Sequence, residues 1–201
     1  MTTIFATVAV SLGLARFALF LALHVVRNDY NIVEHAVSDY AVGRTRALSS
    51  IMSWVTAVFW VALAVLVVSA FPDWKDLAGV TICLIALAAI FFVLPFLPTD
   101  LEGAASTTVG RLHLLAAIAW FALSYACMGN FARLLQPIAP APLGSTLLIT
   151  SWVALISLVA LVAALAIRPA RRYAFGISER IFLLSVNVFY VTAALGVITT
   201  R

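Results

Sequence analysis

Along the 201 residues, apolar side chains come in long blocks separated by short polar breaks. A helix that crosses a bilayer needs roughly 20 mostly apolar residues. Six blocks reach that length, at about 3–25, 48–70, 77–97, 111–134, 145–167 and 180–199. None alternates with the period of two that barrel strands show. Helices satisfy their own backbone hydrogen bonds in lipid, so the pattern predicts an all-α, polytopic transmembrane bundle of six helices. The connections leave no room for a second, soluble domain, so residues 1–201 read as one membrane domain. The first block lacks a positive leader and a small-residue cleavage site, and reads as a retained span.

Prolines punctuate the blocks. Pro72 ends the second, Pro95 and Pro98 bracket a kinked end of the third, and Pro137, Pro140 and Pro142 predict a stiff, extended link before the fifth. Arg168, Arg171 and Arg172 form a basic cluster that is expected to end the fifth span.

The longest polar break runs from His24 to Arg46. Within it Val33, Ala36, Val37 and Tyr40 fall at i, i+3, i+4 and i+7, one helical stripe, with Glu34, His35, Ser38 and Asp39 on the other side. This predicts a short amphipathic interfacial helix between the first and second spans, lying over the bundle mouth. Asn28, Asp29 or Asn31 would cap its start, and Gly43 would stop it. His35 and Asp39, four apart, either pair or form part of a solvated face.

Composition agrees with the pattern. Hydrophobic residues make up 65% of the chain and charged residues 10%, with a mean hydropathy of +1.14. A soluble domain is about half apolar and a quarter charged, so a soluble fold is excluded. The net charge of +4 is a topology signal and not a nucleic-acid footprint. Eight lysines and arginines lie on the side of the loops after spans one, three and five, against three on the other. This predicts a cell-membrane protein with those loops in the cytoplasm and both termini outside. Cys83 and Cys127 fall inside apolar blocks and read as packing residues.

Six spans also put most ionisable groups at one end. That end carries His24, His35 and His113, and six acids including Glu34, Asp39, Asp100, Glu102 and Glu179; the other has only Asp73 and Asp76. His24, His35 and His113 with Asp39 or Asp100 would make a nitrogen and oxygen set that zinc accepts. The same histidines would equally serve as interfacial groups bonded to loop carbonyls. Each odd connection also offers a hydroxyl beside an acid, at Ser38-Asp39, Thr99-Asp100 and Ser178-Glu179-Arg180, a pairing that commonly caps helices. Arg16, in the middle of the first span, requires a polar partner on another span; Asn187, Tyr125 and Asn130 are the candidates. The chain has no HExxH, GxSxG, CxxC or Walker motif.

Three runs, RNDYNIVEHAVSDYAVGRTRALSSIM, LPTDLEGAASTTVGRLHLLAA and ISERIFLLSVNVFYVTAAL, together carry a family resemblance. The chain resembles the domain of unknown function 998 family of multi-pass membrane proteins. Arg27, Asp29, Tyr30, Ser38, Asp39, Tyr40, Gly43, Thr99, Asp100, Gly110, His113, Glu179 and Arg180 match that family's motif positions. Val37 and Leu97 are mild departures. The resemblance implies the membrane fold but no activity. More distantly, the Ser-Asp loop is similar to that of the Frag/DRAM/Sfk six-span family, linked to regulation at membranes. The alkaline ceramidase and adiponectin-receptor superfamily would imply a zinc lipid amidase, but its paired histidines in the last span are missing here.

The expectation is therefore a non-enzymatic membrane protein with no cofactor, binding a lipid headgroup, an ion or a protein partner at its polar end. Its candidate residues are Arg27, Asp29, Tyr30, His35, Ser38, Asp39, Tyr40, Asp100, His113, Glu179 and Arg180. A zinc-dependent membrane hydrolase built on the three histidines is the alternative, and a small transporter a third reading.

Overall fold

The computed structural model of the chain describes residues 2–26, 30–101 and 105–200. Six of its helices are long and apolar enough to cross a membrane. They are α1 (Thr2–Val25), α2 (Arg46–Ala70), α3 (Leu77–Val93), α4 (Thr108–Leu135), α5 (Ala141–Ala166) and α6 (Arg168–Thr199). No strand occurs among the described residues. The chain is thus an all-α, multi-pass membrane bundle, as its hydrophobic pattern predicts.

Two helices form the axis. In the membrane-crossing part of α6, 67% of residues are buried, and in α2 56%, against 28% in each of the other four. Phe182, Phe189, Tyr190, Ala193 and Ala194 of α6 are all fully enclosed. On α1, Ala6, Ala9 and Gly13 form a stripe of small residues that brings its backbone close to its neighbours. A Cβ on Gly13 would collide with Val191 and lie 3.2 Å from the Phe59 ring. The Tyr190 hydroxyl donates to the Ser124 carbonyl at 2.7 Å and ties α6 to α4.

Arg16 finds one of its expected partners. It is buried, and its Nη1 donates to Asn187 Oδ1 at 3.2 Å; the Asn187 amide in turn donates to the Gly13 carbonyl at 3.3 Å. Asn130 instead accepts from Arg133, on its own helix.

Helix starts depart from expectation wherever proline is involved. The fifth span begins at Ala141, with Pro140 as its cap and Pro142 in its first turn, so QPIAPAPLG is not an extended link. The basic cluster opens the sixth helix instead of ending the fifth, with Pro169 in the first turn and Ile167 as the single residue between α5 and α6. Proline is preorganised for the first turn of a helix, where its missing N–H costs nothing. Ser178, Glu179 and Arg180 consequently lie inside α6 and not in a connection. Pro95 does disturb the end of the third span, where Leu94–Phe96 tightens into a 3-10 turn.

The interfacial helix is also not confirmed. Residues 32–35 form a turn, Val37–Ala41 a 3-10 turn, and Gly43, at φ 70°, reverses the chain into Gly43–Thr45. An α-helix here would bond the Val37 N–H to the Val33 carbonyl. Both groups are taken by α6: Val37 N–H donates to Glu179 Oε2 at 2.6 Å, and Val33 O accepts from Gly176 N–H at 2.9 Å. Asp39, expected on a solvated face, is buried with Val37 and Tyr40.

The Arg16–Asn187 pair yields a stability prediction. A hydrogen bond to a charged group contributes about 1.5–3 kcal/mol, and more is lost when a buried charge is left alone. Asn187→Leu should therefore lower the unfolding temperature in detergent, and Arg16→Met in the same chain should restore most of the loss. A double variant no more stable than Asn187→Leu alone would show that the pair is not what Arg16 depends on.

Candidate functional site

Arg180 is the junction between the first connection and α6. Its Nε donates to His24 Nε2 at 2.8 Å, its Nη1 to the carbonyls of His35 at 2.8 Å and Gly176 at 2.9 Å, and its Nη2 to the Tyr40 hydroxyl at 3.3 Å. Since His24 Nε2 accepts, its proton sits on Nδ1, which donates to the Phe20 carbonyl at 2.7 Å. The Tyr40 ring stands edge-on to both His24 and Tyr30. Gly176 allows the connection to lie directly on α6, because a Cβ there would sit 2.5 Å from the His35 carbonyl and 2.6 Å from that of Ile32.

The third connection has its own junction. Asp100 Oδ2 accepts from the Thr107 N–H and Oδ1 from the Thr107 hydroxyl, both at 2.8 Å. Thr107 Oγ1 then accepts from Gly110 N–H at 2.9 Å and caps α4. A side chain on Gly110 would run into the Asp100 carboxylate. The Thr107 N–H, and next its hydroxyl, hold the Asp100 carboxyl below its usual 3.8, with Arg111 and His113 adding attraction. His113, buried one turn into α4, bonds through Nδ1 to the Leu97 carbonyl at 2.6 Å.

These junctions enclose a cavity of about 410 Å³ between α4, α5 and α6. Its polar end holds Ser38, Asp39, Asp100, Arg111, His113 and Glu179. From there Leu114, Ala117, Ile118, Phe121 and Ala122 run down α4, facing Leu158, Leu161, Val162 and Leu165 of α5. Leu114, Ile118, Val162 and Leu165 are between 38% and 57% exposed, so the cavity is a groove open sideways on the lipid-facing surface. From Gly110 to Ala122 it extends about 18 Å at ~1.5 Å per residue. That is close to one leaflet of a roughly 30 Å hydrocarbon core.

The structure thus divides the sequence candidates into two sets. Tyr30, His35, Tyr40 and Arg180 belong to the junction, together with His24. Ser38, Asp39, Asp100 and His113 line the groove, and Glu179 serves both. Arg27 and Asp29 lie outside the described residues, as does Glu102. His35 does not pair with Asp39: its Nδ1 accepts from Asn31 N–H, while Asp39 Oδ2 accepts from Ala36 N–H. Among the described residues no three His, Cys, Asp or Glu side chains are grouped to hold a metal ion. The zinc reading gains no support from this geometry, since both His24 nitrogens already have partners.

Gly176, Thr107 and the apolar walls were not among the expected site residues. The walls do leave a trace, since 114, 117, 118, 121 and 122 form a helical stripe. A stripe facing lipid, however, has the same composition.

The Asp100 junction makes a prediction about acid. Because its folded pKa lies below 3.8, its stabilisation is complete above that value and lost as pH falls through the lower one. Amide exchange at Thr107 and Gly110, corrected for intrinsic rates, should show protection at about pH 5 that disappears only on further acidification. Asp100→Asn should reduce it already at about pH 5; unchanged protection in that variant would remove Asp100 from the cap.

A family model described as "Protein of unknown function (DUF998)" matches residues 9–196. No curated protein and no solved structure matches the chain.

Proposed function

For this chain, which belongs to the DUF998 family, we propose that its function is to bind a membrane lipid in the groove between α4 and α5. The headgroup lies at the polar end and an acyl chain against the apolar walls. The supporting observation is the shape and chemistry of the groove: polar at one end, apolar for about one leaflet's depth, and open to the bilayer along its side. A soluble ligand would need no side opening, and a site for an ion alone would need no apolar walls. The cavity's volume falls within the roughly 300–1,000 Å³ of ordinary ligand pockets.

Binding without catalysis fits the side chains present. The polar groups are largely committed to holding backbone: Asp100 to Thr107, Asp39 to Ala36, Glu179 to Val37 and His113 to Leu97.

Filling the groove should abolish binding. Ala122 is exposed on the groove's apolar stretch, so Ala122→Trp should fold normally yet carry about tenfold less co-purifying lipid by native mass spectrometry. Ile82→Trp, on the lipid-facing side of α3, serves as the control. Equal lipid retention in the two variants would sink the proposal.

We assign the groove's polar end to the cytoplasmic side. With the buried Arg180 set aside, that end still carries most of the lysines and arginines. The groove would then draw on the inner leaflet. Tags on the two termini should be reached by impermeant reagents from outside intact cells, and labelling only after permeabilisation would reverse the assignment.

A further inference from the structure

Adjoining the groove is a second, smaller chamber of about 80 Å³, itself open on one side. The two meet at Ser38, His113, Ala117 and Glu179, which line both. The smaller chamber adds Ser49, Ser50 and Ser53 of α2. Three of its polar groups are more than nine-tenths buried and retain unused acceptors. Glu179 bonds only through Oε2, leaving Oε1. His113 bonds through Nδ1 to a carbonyl, which leaves Nε2 of the neutral ring as an acceptor. Ser49, 5% exposed, has no hydrogen-bond partner for its hydroxyl among the described residues.

Cations line only one of the two spaces: among the described residues no lysine or arginine lines the smaller chamber, whereas Arg111 and Arg171 line the groove beside Asp39 and Asp100. Arg111 lines the groove, donates to Ser106 through Nε and attracts the Asp100 carboxylate. A cation is favoured in the chamber that Glu179 lines with no lysine or arginine beside it, and an anion in the groove only beside a guanidinium.

We infer that the bound lipid is an aminophospholipid whose primary ammonium enters the smaller chamber while its phosphate stays with Arg111. This deepens the lipid-binding reading and rests on it. A primary ammonium presents three N–H donors to the three open acceptors. A trimethylammonium has no N–H and would leave those acceptors unpaired.

The test is binding of phosphatidylethanolamine, phosphatidylcholine, phosphatidic acid and phosphatidylglycerol with identical acyl chains to the full chain in detergent. Native mass spectrometry should show about tenfold preference for phosphatidylethanolamine over each of the others. Glu179→Gln keeps a carbonyl for the Val37 N–H but loses the charge. It should erase that preference, bringing phosphatidylethanolamine down to the level of the other lipids. Ser49→Ala removes one acceptor without disturbing any described bond and should reduce the preference several-fold even if Glu179→Gln fails to fold. Equal binding of all four lipids, or preference for one without a primary amine, would overturn the ammonium assignment and leave the groove a lipid site. Failure to retain any of the four would overturn both. Soluble glycerophosphoethanolamine binding as tightly as the lipid would keep the ammonium site but remove the need for acyl chains, overturning the lipid assignment.

Discussion

The polar end of this bundle depends on one guanidinium. Arg180 sits inside α6, buried, and gives hydrogen bonds to an imidazole nitrogen, two carbonyls and a phenol belonging to three separate segments. The planar fork of arginine can serve such divergent acceptors at once, and the compact ammonium of lysine cannot reach them in the same geometry. With Glu179 next to it holding Val37, it draws the first connection down against α6. Ser38 and Asp39 come to the mouth of the groove because of this attachment, so the site's roof is fixed from below by the innermost helix.

The cost of that arrangement is local helix. Val33 and Val37 belong to a helical stripe, but the Val33 carbonyl and the Val37 N–H bond to α6 instead of to one another, and the His35 carbonyl is taken by Arg180. A backbone carbonyl has no preference between a partner four residues on and one 140 residues away, provided the geometry suits. The stripe of Val37 and Tyr40 was a true burial signal, since both are enclosed. It indicated which side chains face inward without indicating the backbone that puts them there.

Other parts of the fold were legible because lipid enforces them. Six apolar blocks of sufficient length had to be six helices, and an arginine in the middle of one had to find a polar partner, which Asn187 is. Proline was read less well. Pro142 and Pro169 look like interruptions along a sequence, yet each lies in the first turn of a helix. The groove was legible only at its polar end. Asp100, His113 and Glu179 stand out as ionisable residues among apolar ones, whereas Leu114, Ile118 and Val162 would look the same facing bulk lipid. What distinguishes them is the separation of α4 from α5, a tertiary property.

The single residue Ile167 between α5 and α6 has a mechanical consequence for that separation. At the polar end these two helices are joined through that one residue, and they pack along each other more extensively than any other pair. Helix α4 is joined to α5 only at the opposite end, through the short turn from Gln136 to Pro140, and its polar end is reached through the longer stretch 97–107. The two walls of the groove are therefore joined directly only at the end remote from Asp100 and His113, and its width at the polar end is set by side-chain packing and not by a short covalent link.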